Sequence, residues 1–296
     1  MKQAILITAY KNYSHLKKLV DFFDDDFYVF IHLDKKSNIN DPIIDEIKAN
    51  NNVKLFSNEY IVNWASFNHL KAIMLLISSA QKYKEVKYFH LITGHDFPIK
   101  TCNYFREFVE QNGEKQFIAH FPLPFEGWTN GGYERFDYYN FHDNFKGTSR
   151  IGKRIIMSIV FLQKFFKIKR KIDKNFPALW GGGTWCSFND ECASYLINYT
   201  EENKDVYNRF KHTYCAEEMY IHTVVMNSHL KNTVVNDDIR YIDWTLRNNN
   251  RPANLDKTDI DYVLKSYKLF ARKFEYPISE GLLKEIIDRF SSNIIS

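Results

Sequence analysis

This chain of 296 residues lacks most of the marks by which chemistry is read from sequence. Its four cysteines, Cys102, Cys186, Cys192 and Cys215, form no CxxC pair and show no zinc-finger spacing. A disulfide framework and a structural zinc site are therefore not expected, and buried reduced thiols are. The ten histidines contain no HExxH pattern. There is no Walker A sequence, Gly181-Gly182-Gly183 is not GxGxxG, and no Gly-x-Ser-x-Gly elbow occurs. With only 11 Gly and 7 Pro, collagen-like and low-complexity classes are excluded. No apolar run approaches the roughly 20 residues that span a bilayer. The opening run Met1–Thr8 is too short for the apolar region of a secretory signal and has no small-residue cleavage site, so the cytoplasm is the expected location. A net charge of +4 is too mild for a general nucleic-acid binder, and no nucleic-acid partner is expected.

What the chain has is core. Hydrophobic residues make up 45% and aromatic residues 17%, enough to bury a sizeable interior; such rings also line sugar sites. Over the first 120 residues, strand and helix patterns alternate. Strands are expected at Ala4–Ala9, Phe27–Leu33, Val53–Phe56, Tyr88–Ile92 and Phe117–His120. Helices are expected at Ser14–Phe23, Asp41–Ala49, Ser66–Lys82 and Thr101–Asn112. The alternation predicts an α/β fold with a mostly parallel sheet wrapped by helices, whose ligands bind outside the carboxyl ends of the strands. Asp34 and Asp96 both fall at such ends, where they read either as site residues or as turn formers. Further on, helices are expected at Asp190–Tyr199, Ala216–Met226 and the C-terminus, and strands at Val234–Asn236 and Ile239–Trp244.

Residues 146–174 differ in composition. They hold ten Lys or Arg against one acid, Asp173, a local net charge of +9 that leaves −5 for the rest of the chain. The apolar run Ile155–Leu162 sits inside this segment. It reads either as an amphipathic helix on an anionic membrane or as a helix with a solvated basic face. Asp24-Asp25-Asp26 is expected to solvate a turn rather than to hold a metal.

Two features point to chemistry. Glu217-Glu218 lies at an expected helix start, where acids suit the helix dipole and where one carboxylate is placed to act as a general base; on an α-helix only one of the two faces a cleft. Arg251 and the pair Arg272-Lys273 are cations of the kind that neutralise a diphosphate leaving group where a metal is lacking.

The series Ile31-His32-Leu33-Asp34-Lys35-Lys36-Ser37, Trp64-Ala65-Ser66 and Tyr88–Thr101 resembles the core-2/I-branching family. These are β-1,6-N-acetylglucosaminyltransferases and their xylosyltransferase relatives, glycosyltransferase family 14. Gly182-Gly183-Thr184-Trp185, Ala216-Glu217-Glu218, Arg240–Trp244 and Leu269–Phe274 follow in the family's order, so the resemblance runs from about residue 4 to 275. It is to the compact bacterial type, which lacks a membrane anchor and stem.

The resemblance implies one GT-A-type, Rossmann-like domain over residues 1–296, with residues 146–174 a basic helical segment. It implies an inverting, metal-independent transfer of a sugar from a UDP-sugar, UDP-GlcNAc being the expected donor, to a hydroxyl of a glycan or lipid-linked acceptor in polysaccharide biosynthesis. No cofactor is expected. Glu218 takes the role of general base. Lys273 holds the diphosphate with Arg251, or with Arg240 or Arg272 in its place. Asp34, Ala9 and Tyr10 border the donor, and Asp96, Trp185, Glu134, Arg135 and Trp244 are expected at the sugar or acceptor. Ala216 stands where the family has proline, and Thr184 stands where xylosyltransferases have an acid. The rival readings are a xylosyltransferase-like enzyme and a non-catalytic sugar or nucleotide binder with a membrane-surface helix.

Overall fold

Strand β1 (Lys2–Ala9) is an apolar run buried on both faces, the signature of a central parallel strand. After it come α1 (Tyr13–Asp21), β2 (Phe27–Leu33), α2 (Pro42–Ala49), β3 (Val53–Ser57), α3 (Phe67–Ala80) and β4 (Val86–Thr93). The chain continues through β5 (Asp96–Pro98), α4 (Cys102–Asn112), β6 (Gln116–Pro122), α5 (Glu134–Asp137), α6 (Arg150–Phe165) and β7 (Trp180–Asn189). Then follow α7 (Asp190–Glu202), α8 (Lys204–Arg209), α9 (Tyr220–Met226), β8 (Val234–Val235) and β9 (Arg240–Ile242), and finally α10 (Ile260–Lys265), β10 (Phe270–Arg272) and α11 (Glu280–Ser292). The computed structural model describes residues 1–292.

The main sheet has seven strands in the order β3-β2-β1-β4-β7-β6-β8. β1 to β4 are mutually parallel, and β7 runs antiparallel to both β4 and β6. β8 is parallel to β6, so β7 alone is reversed. This is the mixed, mostly parallel, Rossmann-like sheet expected of a GT-A-type fold. The alternation of β1 sorts the core into two layers. Ala4 and Leu6 face α3, α7 and α9, while Ile5, Ile7 and Ala9 face α1, α4 and α11. Phe89 of β4 stacks on Phe188 of β7, ring centroids 5.7 Å apart, and welds the parallel half to the reversed strand. The C-terminal residues Leu269, Phe270, Phe274 and Ile286 join the same core as β1 and β2.

Three departures from the sequence reading matter for the site. Trp180–Asn189, whose glycines hide its strand character, is the longest strand, β7. Gly182 is small there for a reason: a Cβ would run into the carbonyl oxygen of Ala119 and the ring of His222. The helix expected over Ala216–Met226 is broken. Cys215 is left-handed (φ 52°), Ala216–Glu218 is one 3-10 turn, and α9 begins only after Met219. Finally, β5, β10 and β9 form a separate three-stranded sheet in which Arg272 stands opposite Asp96. That pairing carries the C-terminal cations to the carboxyl ends of β1 and β4.

Candidate active site

The carboxyl ends of β1, β2 and β4 open into a cleft of about 640 Å³. Its floor holds Thr8, Ala9 and Tyr10 from β1, His32 and Asp34 from β2, and Thr93 and His95 from β4. Gly94 allows the ends of β1 and β4 to close together, since a side chain there would meet the Cβ of Ala9 at 2.9 Å. The walls are Asn63–Ala65 and His69 on one side, Thr184 and Trp185 of β7 on another, and Lys146 and Thr148 at the rim. Glu217 and Glu218 enter from the 3-10 turn, and Arg272 and Lys273 from β10. A smaller hollow of about 390 Å³ lies between α1 and residues 274–283, where the acid Glu275 is already tied to Lys11 at 2.9 Å. The larger cleft is the candidate site because it brings the acids Glu217 and Glu218 together with Arg272 and Lys273 at the carboxyl ends of the strands.

Arg272 is the most informative of these residues. Its side chain is nine-tenths buried, with the guanidinium carbon 4.0 Å from the ring centroid of Trp185. Its Nη1 lies 3.3 Å from Asp96 Oδ1, yet Nε and Nη1 have no hydrogen-bond acceptor among the described residues. Burial pulls its pKa down, opposed by the charge of Asp96. The guanidinium lines the cleft, where its positive charge favours an anion. Lys273 is next to it, half-buried, and its Nζ has no hydrogen-bond partner among the described residues; burial lowers its pKa as well. His95 stays neutral between these cations. Burial brings it down to about 4, and its Nδ1–H donates to the carbonyl of Phe274 at 3.1 Å.

Across the cleft, Glu218 accepts from Arg135 Nη1 at 2.6 Å. Burial and the neighbouring charge of Glu217 raise its carboxyl above the ordinary 4.5, while Arg135 pulls the other way. Arg135 itself is held flat on Trp128, 3.5 Å from the ring centroid. Both acids of the pair line the cleft, contrary to the helix argument, because the left-handed Cys215 and the 3-10 turn replace an α-helical start. Glu217 turns toward His69, whose Nδ1 lies 3.2 Å from Oε1. The other ring nitrogen of His69 meets Thr8 Oγ1 at 3.2 Å. Oε2 of Glu217 is buried without a hydrogen-bond partner among the described residues.

The remaining expected site residues divide. Asp34 lines the cleft, but its carboxylate is engaged: Oδ1 accepts from the amides of Lys36 and Val62, and Oδ2 pairs with Lys36 at 3.2 Å. Ala9, Tyr10 and Trp185 line the cleft. Asp96 does not meet solvent at all, so it cannot contact a sugar; it accepts from the amide of Thr93 at 2.5 Å and buttresses Arg272 from behind. Glu134 is bound to Lys164 of α6 at 2.6 Å, outside the cleft. Trp244 is 56% exposed and Arg251 lies on an exposed loop, and neither lines the cleft. The loop is set by Arg247, which bridges Asp243, Asp256 and Asp259. Arg240 is also excluded as a ligand, since it does not line the cleft and its Nη1 and Nη2 are bonded to the carbonyls of Leu91, Cys186 and Asp238 and to Ser187. Sequence reasoning missed His69, which the sequence shows only as a histidine in the first turn of an amphipathic helix that also carries Asn68 and Lys71.

Cys215, Glu217 and Glu218 bring one ligand-type atom each within 4.8 Å of one another. The set suits Mg²⁺ or Mn²⁺ poorly. A thiol is a soft ligand, burial drives the Cys215 thiol well above its usual range, and Glu218 is held by Arg135. Asp24 and Asp26 lie at the start of β2, away from the cleft, and both pair with Arg106 at 2.9 Å.

The model of the Core-2/I-Branching enzyme family matches residues 4–263. Beta-glucuronosyltransferase GlcAT14A of Arabidopsis thaliana is 27% identical over 152 residues, covering 49% of this chain and 34% of its own length. Xylosyltransferase sqv-6 of Caenorhabditis briggsae is 22% identical over 264 residues, covering 87% of this chain and 30% of its own. The chain thus spans about a third of the length of these curated relatives. The crystal structure of mouse xyloside xylosyltransferase 1 in its apo form aligns over 92% of this chain and 97% of that one, with TM-score 0.37 and 12% identity.

Proposed function

The chain belongs to the core-2/I-branching enzyme family, and on that premise we propose that it is an inverting glycosyltransferase that uses a UDP-sugar and needs no metal. One observation carries the reading: the cations Arg272 and Lys273 line the same cleft as Glu218. In the reaction, Glu218 takes the proton of an acceptor hydroxyl as its oxygen bonds to the anomeric carbon. The bond from that carbon to the diphosphate breaks on the opposite face, and UDP leaves carrying the electron pair. Arg272 and Lys273 receive the charge of the diphosphate where it develops. A carboxylate that titrates above its ordinary value is a better base near neutral pH than one fully stabilised as an anion, and the surroundings of Glu218 push it that way.

We take the donor to be UDP-GlcNAc. Support comes from Thr184, which faces the cleft where xylosyltransferases carry an acid, and so offers a hydroxyl rather than a charge. The relatives named above are xylosyl- and glucuronosyltransferases, so donor choice is put to a screen. Thermal shift is measured against UDP, UDP-GlcNAc, UDP-xylose and UDP-glucuronate in the presence of EDTA. Stabilisation by UDP and a larger one by UDP-GlcNAc supports the reading, and slow hydrolysis of that sugar nucleotide separates an enzyme from a mere binder. Absence of any shift with all four overturns it. The acceptor is taken to be a hydroxyl of a glycan or of a lipid-linked glycan, with peripheral attachment through residues 146–174 at the inner face of a membrane.

A further inference from the structure

Helix α6 is fastened to the protein by a narrow stripe. Of its sixteen residues only Gly152, Ile156 and Gln163 are buried. Gln163 supplies the polar anchor, accepting from the amide of Tyr139 and donating to its carbonyl. The opposite side of the helix and the turn after it are open, and large apolar side chains stand there among the cations Arg150 and Arg154. Ile151, Met157, Phe161, Leu162, Phe165 and Phe166 are each between 50% and 73% exposed. Phe161 and Phe165 stack with centroids 6.4 Å apart, and Phe165 meets Phe166 edge-on at 5.0 Å. A soluble surface rarely leaves so many large side chains contiguous without an occupant.

The charge around this face identifies the occupant. Arg150, Lys153, Arg154, Lys167, Lys171 and Lys174 have no acidic partner among the described residues. Only Lys164 and Lys169 of the segment are paired, with Glu134 and Asp137. Two copies meeting through this face would bring cations against cations. A bilayer satisfies both layers at once: rings enter the acyl boundary while long basic side chains reach back to lipid phosphates. Deepening the acceptor reading given above, on which only the last step rests, we infer that the outer face of α6, with Phe166, docks on an anionic phospholipid surface. The N-terminal end of α6 follows directly on Lys146 and Thr148 at the rim of the cleft. Docking therefore holds the cleft mouth within one helix length, about 24 Å, of the lipid headgroups. An acceptor carried on a lipid is presented at that distance.

The test is co-sedimentation of the full chain, without nucleotide, with vesicles of phosphatidylcholine alone or with 30% phosphatidylglycerol. Partitioning onto the anionic vesicles should exceed that onto neutral ones by about tenfold or more, and should fall as salt rises. Changing Phe161, Phe165 and Phe166 together to Ser should lower it about tenfold, while Lys153→Glu with Arg154→Glu should remove the preference for anionic lipid. Both variants should keep the wild-type thermal shift with UDP, which shows that they are folded. Equal partitioning of wild type onto both vesicle types overturns the inference. So does retention by the triple Ser variant, or a wild-type dimer that the triple Ser variant loses. Failure of the UDP shift with lipid binding intact counts against the glycosyltransferase reading and leaves the docking face standing.

Discussion

Arg135 Nη1 lies 2.6 Å from Glu218 Oε2. The proposed base is thus born paired, and the pairing governs its proton affinity. Arg135 favours the carboxylate, so Arg135→Ala raises the Glu218 pKa further. Because the base acts deprotonated, the acid limb of the kcat/KM profile should move to higher pH, by about one unit given that both side chains are partly exposed. Steady-state kinetics between pH 5 and 9 reads this. An unmoved limb would take Arg135 out of the role.

Glu217 acts with the opposite sign. Its charge raises Glu218, so Glu217→Gln lowers it and should shift the acid limb to lower pH. His69→Ala leaves Glu217 without its partner and removes a group that lowers Glu218, so it should weaken turnover and move the acid limb the other way, to higher pH. The same pH series separates the two variants. An upward shift in Glu217→Gln would contradict the electrostatic account of the pair.

The parallel half of the fold was legible in the sequence because its signals are local. Apolar runs and 3.6-residue periods lie within single elements, and β2 appears over Phe27–Leu33 as expected. The small sheet was legible only in part: β9 falls within the strand expected at Ile239–Trp244, but β5 and β10 are three residues each, too short to show a period, and the pairings join distant stretches of chain. For that reason nothing local could tell Arg251, on an exposed loop, from Arg272, brought to the cleft by its register opposite Asp96. The resemblance named Glu218 and Lys273, with Arg251 as the partner of Lys273 and Arg240 or Arg272 as alternatives; the structure brings Glu218, Lys273 and Arg272 to one cleft and leaves Arg251 outside it. Asp96, by contrast, is a strand-end acid whose destination is burial, and Trp244 is an aromatic left outside. The strained left-handed positions Ala65 (φ 65°) and Cys215 (φ 52°), joined by the bond from the Cys215 amide to the Ala65 carbonyl, shape the acidic turn and carry no sequence signal such as glycine.

Asp96 is expected to matter for stability rather than for contact with substrate. Asp96→Ala leaves the buried guanidinium of Arg272 without its counter-charge and should cost about 3–5 kcal/mol in urea unfolding. A loss under about 1 kcal/mol would mean that Arg272 finds another partner or solvent.

Metal removal should be silent. Turnover in EDTA should stay within about twofold of that in Mn²⁺, and Cys215→Ala should behave alike in both, since the thiol is buried and held protonated. A strict Mn²⁺ requirement would turn attention back to Cys215, Glu217 and Glu218 as ligands.

The most direct measurement is calorimetric titration of UDP in EDTA into wild type, Lys273→Ala and Glu218→Gln. Charge-assisted bonds to a diphosphate are worth about 1.5–3 kcal/mol, so Lys273→Ala should bind roughly 10- to 150-fold more weakly, while Glu218→Gln binds as wild type does and yet fails to transfer sugar. Equal affinity in wild type and Lys273→Ala, or binding that appears only when a divalent ion is added, would contradict the account.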